Sequence, residues 1–306
     1  MRDTFVKSLT EIARSDRRVM LLTADLGFGV LTNYAQEFPD QYLNVGVAEQ
    51  NMTGLATGLA LEGRIVFTYS IGNFPTLRCL EQIRNDVCYH NVNVKIVSIG
   101  GGLSYGPLGI SYHATEDLAI MRALPNMTVV APGDLTETML ATKAVYELHG
   151  PCYMRLGRGN EPNVHSKIPS FALGKGVPLF PFGEITLLST GGILSYAVKA
   201  RDILEKRQIK TAVYSMHSLK PMDKALIQDL AVTVKLIVTI EEHSLIGGLG
   251  GAVAEILAGL PSPRCSLLRI GLQDCFSCEV GDQDYLRNLY GLSPQAIADR
   301  IQEVYG

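Results

Sequence analysis

An α/β fold of two three-layer αβα domains with mostly parallel sheets is predicted by three observations. Short apolar runs of strand length alternate with helical patterns along the chain, which implies right-handed crossovers and a covered, mostly parallel sheet. The alternation breaks once, at about residues 160–182, where Pro162, Pro169, Pro178 and Pro181 fall close together, and then restarts. At 306 residues the chain has the length for two domains. The expected division is a first domain over 1–163, a linker over 164–182 and a second domain over 183–306.

The elements follow in order. Residues 4–15 carry a helical pattern, and 19–23 form a short apolar strand ending in Ala24-Asp25-Leu26-Gly27. Strand-like residues 43–45 run through Gly46 into a helix. There Ala48, Met52, Leu55, Ala56 and Leu59 recur at the spacing of a buried face. A strand at 65–69 comes next, and Phe74, Leu77, Leu80, Ile83 and Val87 mark another helix face. Residues 94–98 form a strand that breaks at Gly100-Gly101-Gly102. A short helix at 117–123, a strand at 127–131, a helix at 135–148 and a strand at 152–156 complete the first set. In the second set, strands are expected at 184–189, 211–215, 236–240 and 266–270. Its helices fall near 194–206, 224–230, 251–260, 285–289 and 294–304. Gly247-Gly-Leu-Gly-Gly251 lacks the G-x-G-x-x-G spacing of a phosphate loop and reads as a tight helix entry.

Composition narrows the function classes. Lys and Arg number 27 against 30 Asp and Glu, and the basic residues are scattered, which argues against nucleic acid. No apolar run approaches a membrane span, and residues 1–7 have no signal-peptide layout. Six cysteines without a disulfide-scaffold pattern fit a reducing cytoplasm. The pair Cys275-Phe-Ser-Cys278 has no second pair and no neighbouring histidine, so zinc is not expected there.

The chemistry centres on Glu49, in the first turn of a helix that is otherwise almost uncharged. Taken alone, a carboxylate there is either held by the helix N-terminus or given to a ligand with a basic nitrogen. The stretch Leu43-Asn-Val-Gly-Val-Ala-Glu-Gln-Asn-Met-Thr-Gly-Leu-Ala-Thr-Gly-Leu-Ala60 resembles the pyrimidine-binding domain of thiamine diphosphate enzymes of the transketolase family. Further motifs arrive in family order. They are Ala24-Asp25-Leu26, Leu80-Glu-Gln-Ile-Arg-Asn85, Glu116-Asp-Leu-Ala-Ile-Met-Arg-Ala-Leu-Pro-Asn126, Val130-Ala-Pro-Gly-Asp134, Arg155-Leu-Gly-Arg158 and Glu241-Glu-His243. The resemblance covers essentially the whole chain and is to the C-terminal half of a transketolase, the pyrimidine-binding domain plus the C-terminal domain.

That resemblance implies a site. Glu49 would contact N1′ of the cofactor's aminopyrimidine. Its carboxyl would promote the imino form that lets the cofactor's own amino group remove the weakly acidic thiazolium proton. A partly buried glutamate, its pKa raised by desolvation, suits that proton sharing. Phe74, placed by its spacing to Arg78, would stack on the aminopyrimidine, although the family's other frequent Phe is Ile71 here. Asp25 and Arg78 belong to the same cofactor-binding set. On the substrate side, His113 is the expected base or donor, with Tyr112 standing at the family's usual His. Leu108 replaces a common acidic residue in that loop. Arg158 and Arg2 match arginines that grip an acceptor phosphate. The family's phosphate-binding serine is Gly29 or Phe28 in this chain.

The family's metal and diphosphate motif, Gly-Asp-Gly followed by Asn, is missing, since Gly133-Asp134-Leu135 and Gly281-Asp282-Gln283 both depart from it. The resemblance is therefore to a split transketolase subunit. It implies that thiamine diphosphate and Mg²⁺ are held jointly with a separate Gly-Asp-Gly chain in an α2β2 complex. The expected reaction is transfer of a two-carbon ketol unit from a ketose donor to an aldose acceptor. Alternatives are the β subunit of a 2-oxoacid or acetoin dehydrogenase first component, a 1-deoxyxylulose 5-phosphate synthase fragment, and a non-catalytic partner of a thiamine enzyme.

Overall fold

The computed structural model describes residues 1–261 and 265–306. Helix α1 (Arg2–Ser15) buries Phe5, Leu9 and Ala13, one i, i+4 stripe. Strand β1 (Val19–Thr23) is buried at every position, as a central parallel strand must be. Then come α2 (Thr32–Glu37), β2 (Tyr42–Asn44), α3 (Glu49–Leu61) and β3 (Ile65–Ile71). A three-residue helix α4 (Leu80–Gln82) runs into a π-helical turn at Ile83–Cys88 and then β4 (Val94–Ile99). Helix α5 (Asp117–Ala123), β5 (Thr128–Val130), α6 (Leu135–Glu147) and β6 (Cys152–Leu156) finish the first domain. Asp134 starts α6 by accepting from Glu137 N–H at 2.8 Å.

The second domain begins with β7 (Val177–Phe180) and β8 (Ile185–Thr190), followed by α7 (Leu194–Lys206), β9 (Thr211–Ser215) and β10 (Ser218–Lys220). It continues with α8 (Lys224–Thr233), β11 (Leu236–Ser244), α9 (Leu249–Ala258), β12 (Ser266–Leu272), α10 (Gln283–Leu289) and α11 (Pro294–Tyr305). The first sheet has the order β10-β5-β6-β4-β3-β1-β2, and the second β12-β11-β8-β9-β7. Among the described residues only β10 and β7 run antiparallel to their neighbours. No helix among the described residues is long and apolar enough to cross a membrane.

Four expectations need correction. Strand β7 lies inside the stretch read as a linker and pairs with β9, Val177 opposite Ser215. Pro178 is tolerated because β7 is an edge strand. Strand β10 was not foreseen: it leaves the second domain and completes the first sheet, Ser218 opposite Val130. Lys220 Nζ also donates to the carbonyls of Arg122 and Leu124, at 3.1 and 2.5 Å. One apolar cluster consequently spans both domains, with Met127 and Val129 packed in it alongside Leu188, Met216 and Leu219.

The third correction concerns α3. Its buried positions are Glu49, Met52, Thr53, Ala56 and Thr57, whereas Leu55 is exposed. The fourth concerns the run from Phe74. Phe74 sits in the turn after β3, Leu77 is exposed, Leu80 packs against the core from its edge, and Ile83 and Val87 are buried in it.

Candidate functional site

The loops that follow the parallel strands β1, β3 and β4 lie at the carboxyl ends of adjacent strands of the first sheet, where open α/β sheets place their ligands. Asn44, the last residue of β2, organises the entry to α3. Its Oδ1 accepts from Asp25 N–H at 2.9 Å and from Gly46 N–H at 3.1 Å, and its Nδ2 donates to Asp25 Oδ1 at 3.3 Å. Asp25 thus holds the loop ahead of Glu49; the structure shows it serving Asn44.

Glu49 is the first residue of α3 and is 4 % exposed. Arg78 Nη1 donates to its Oε2 at 2.8 Å. The same guanidinium lies 4.7 Å from the Phe74 ring centroid. Gln50 Nε2 fixes Arg78 further by donating to its carbonyl at 3.0 Å. Glu49, Phe74 and Arg78, distant in sequence terms from Asp25, therefore form one cluster of acid, aromatic face and flat cation.

From Phe74 a row of rings leads outward. Tyr112 meets Phe74 edge-on at 5.2 Å, Tyr105 lies 5.8 Å from Tyr112, and the Arg158 guanidinium sits 5.1 Å from the Tyr105 ring. These are the offset and cation–π geometries that aromatic quadrupoles favour. His113 is 1 % exposed, and its Nε2 donates to Gly106 O at 3.1 Å. Its Nδ1 has no partner among the described residues. One nitrogen of His113 is thus committed to the backbone, and the buried Nδ1 is the one without a partner. Asn73 Nδ2 donates to the His113 carbonyl, joining the exit of β3 to this loop.

Arg2 and Arg158 line the same cavity of ≈ 720 Å³ between the two domains, opposite Ser195, Tyr196 and Lys199 of α7 and Arg287 of α10. Arg2 pairs with Asp3 at 2.8 Å. Arg158 makes no ion pair among the described residues.

The motif Glu241-Glu-His243 carries no role in the expected site. These residues end β11 and are all buried. Glu241 accepts from the N–H groups of Leu249 and Gly250 at 2.6 and 2.7 Å, filling the N-terminus of α9. Burial raises its pKa to about 7 against the pull of those donors. The glycine-rich turn is thus a helix entry capped from within. Glu242 receives Arg287 Nε and Nη2, both at 2.6 Å, and Leu103 N–H at 2.5 Å. His243, its pKa pushed down to about 4 by burial, accepts from Ala119 N–H at 3.3 Å and donates from Nδ1 to Ser244 O at 2.7 Å. Arg155 pairs with Asp117 at 3.1 Å beside them. The readable signal was three polar residues placed directly after an apolar strand run. Cys275 and Cys278 are exposed thiols. Among the described residues no group of three or more His, Cys, Asp or Glu is placed to hold a metal ion.

Residues 1–163 match the transketolase pyrimidine-binding domain, and residues 174–297 match the transketolase C-terminal domain. A putative transketolase C-terminal section from Methanocaldococcus jannaschii is 40 % identical over 306 residues, 99 % of this chain and 95 % of that one. A 6-deoxy-6-sulfo-D-fructose transketolase subunit from Clostridium sp. is 37 % identical over 99 % of this chain and 94 % of its own. A solved structure described as a split gene transketolase, inactive β4 tetramer, superposes with a TM-score of 0.88 at 36 % identity, covering 99 % of this chain and 96 % of that chain.

Proposed function

The chain belongs to the transketolase family as a subunit of the split type, and from that membership we propose how its own residues serve the reaction. The reaction is transfer of a two-carbon ketol unit from a ketose donor to an aldose acceptor. Bound thiamine diphosphate supplies the carbon nucleophile. The observation that carries the site assignment is the buried Glu49 carboxylate held by Arg78, whose guanidinium also lies over the Phe74 ring.

The residues fit the pyrimidine end of the cofactor. Arg78 reaches both the carboxylate and the ring face with a flat, hydrogen-bonding cation. An aminopyrimidine calls for the same pair of partners, a carboxyl for its ring nitrogen and an aromatic face. In this reading Glu49 holds the proton at the ring nitrogen and Phe74 orients the ring. Arg78 and Asp25 keep Glu49 and its helix entry in place. The diphosphate and Mg²⁺ are assigned to a partner chain carrying Gly-Asp-Gly and a downstream Asn, because this sequence lacks that motif. His113, through Nδ1, and Tyr112 face the sugar, and Arg158 with Arg2 receives its anionic end.

An apolar face supports assembly with a partner. Val47, Leu55, Leu61 and Leu77 are 77 %, 40 %, 62 % and 41 % exposed around α3, and Gly54 and Gly58 leave that helix surface open. Exposed side chains of this kind next to Glu49 call for a covering subunit. The proposed complex is α2β2. A cytoplasmic location is part of the proposal and rests on six free cysteines.

Co-expressed with its partner, the protein should act on ketose donors and not on pyruvate with a dye acceptor; the reverse preference would favour a 2-oxoacid dehydrogenase component. Phe74→Ala should weaken thiamine diphosphate affinity by about 1–3 kcal/mol, through loss of stacking and burial. Titration of the folded variant complex measures this, and unchanged affinity would remove Phe74 from the site. Arg158→Ala should raise the KM for a phosphorylated acceptor and leave that for a neutral acceptor as it was. Equal changes for both acceptors would make the arginine structural.

A further inference from the structure

The segment that carries Tyr105, Tyr112 and His113 is a closed loop. Its neck is an antiparallel bridge, with Gly102 N–H donating to Ala114 O at 2.8 Å and Ala114 N–H to Gly102 O at 3.0 Å. From this loop Tyr112 meets Phe74, and Ser104 and Pro107 line the interdomain cavity. Backbone bonds at the neck close the loop but do not aim it.

The second domain holds that neck at several points. Glu242 Oε1 accepts from Leu103 N–H at 2.5 Å. Gln283 Nε2 lies 3.1 Å from Ser104 Oγ and 2.9 Å from Glu242 Oε1. Ser244 N–H donates to Thr115 O at 2.8 Å. Arg155 Nη2 bridges the carbonyls of Ala114 and Glu242 at 2.8 and 2.9 Å. The approach is so close that side chains are excluded. A Cβ on Gly102 would fall 2.5 Å from Glu242 Oε1, and one on Gly106 would fall 2.2 Å from Gly281 O. Gly102 also has φ +65°, a left-handed conformation that favours glycine. Gly106 in turn supplies the carbonyl that holds His113 Nε2.

We propose that Glu242 is a positioning residue for the reaction. From the C-terminal domain, it sets the neck of the loop that presents Tyr105, Tyr112 and His113 to the sugar. Arg287, 7 % exposed and bonded to Glu242 Oε2, fixes the carboxylate, so that Oε1 meets the Leu103 N–H in one orientation. The inference rests on the transketolase reading for the roles of the loop residues. The geometry of the neck stands without it.

The test compares Glu242→Ala and Glu242→Gln with Glu241→Ala in the reconstituted complex. Glu241 is also buried and adjacent, but among the described residues its carboxylate accepts hydrogen bonds only from the N-terminus of α9. Two readouts are taken: steady-state kinetics and amide hydrogen exchange over residues 103–113. Glu242→Ala should speed exchange in 103–113 at least tenfold. It should raise the KM for donor and acceptor sugars about tenfold and lower kcat, with thiamine diphosphate affinity within twofold of the parent. Glu242→Gln, which keeps an acceptor for Leu103 N–H, should recover most of the sugar KM. Glu241→Ala should loosen 249–252, lower Tm and leave the sugar kinetics unchanged.

Should Glu242→Ala fail to assemble, Gly102→Ala attacks the same contact from the loop side, and the same changes are expected. Unchanged exchange over 103–113, or equal kinetic losses in the Glu241 and Glu242 variants, would overturn the proposal. Faster exchange in a complex whose parent form transfers no ketol unit would sink the reading of the reaction and leave the positioning contact standing.

Discussion

Glu49→Gln in the assembled complex is expected to lower turnover by about 10²–10⁴-fold, the range that a positioned acid–base group contributes, while thiamine diphosphate still binds. An amide at this position cannot share a proton with a ring nitrogen as a carboxyl does. Phe74 and the partner's contacts are untouched, so the loss should fall on kcat and not on cofactor affinity. Gln is close to Glu in volume, so the packing of Met52, Thr53 and Ala56 on the same face of α3 should survive. The ion pair to Arg78 is lost, and Arg78, with its side chain 49 % exposed, can rehydrate at modest cost. Cofactor titration and single-turnover kinetics on the purified complex separate the two parameters. Near-parental turnover would remove Glu49 from the chemistry.

Alone, this chain should show no measurable ketol transfer at any thiamine diphosphate or Mg²⁺ concentration. Activity should return on titration with the Gly-Asp-Gly chain, saturating near one to one. The chain supplies Glu49 and Phe74 for one end of the cofactor and lacks the motif for the other. Lost contacts of that kind weaken binding by about tenfold for each 1.4 kcal/mol. The exposed apolar face around α3 predicts self-association of the isolated chain. Light scattering should therefore report an oligomer that gives way to a mixed complex as partner is added. Transfer by the isolated chain, shown free of host transketolase, would overturn the split-site account.

How much was legible in the sequence depended on whether the cause was local. Helices at Asp117–Ala123 and Leu194–Lys206 match the expected bounds, because breaks and periodicity are written in adjacent positions. The family motifs were likewise readable as strings. Strands β7 and β10 were not, since three or four residues at a sheet edge carry no periodic signal, and Pro178 argues against a strand until the edge is known. Helix α3 is apolar on more than one side, so spacing alone could not decide that Leu55 faces out.

By itself, the sequence determined the order of the longer elements, the two α/β units and the residue types that a thiamine-enzyme half-site needs. Tertiary structure decided which of those residues meet. It turned Arg78 onto both Glu49 and Phe74, committed one nitrogen of His113 to Gly106, and carried Arg2 to the cavity of Arg158. It also divided the labour of Glu241 and Glu242. Neighbours along a strand point to opposite faces, so one carboxylate caps α9 and the next crosses to the loop of the other domain. Alternation is implicit in any strand, but which face looks onto which partner exists only once the two sheets have packed.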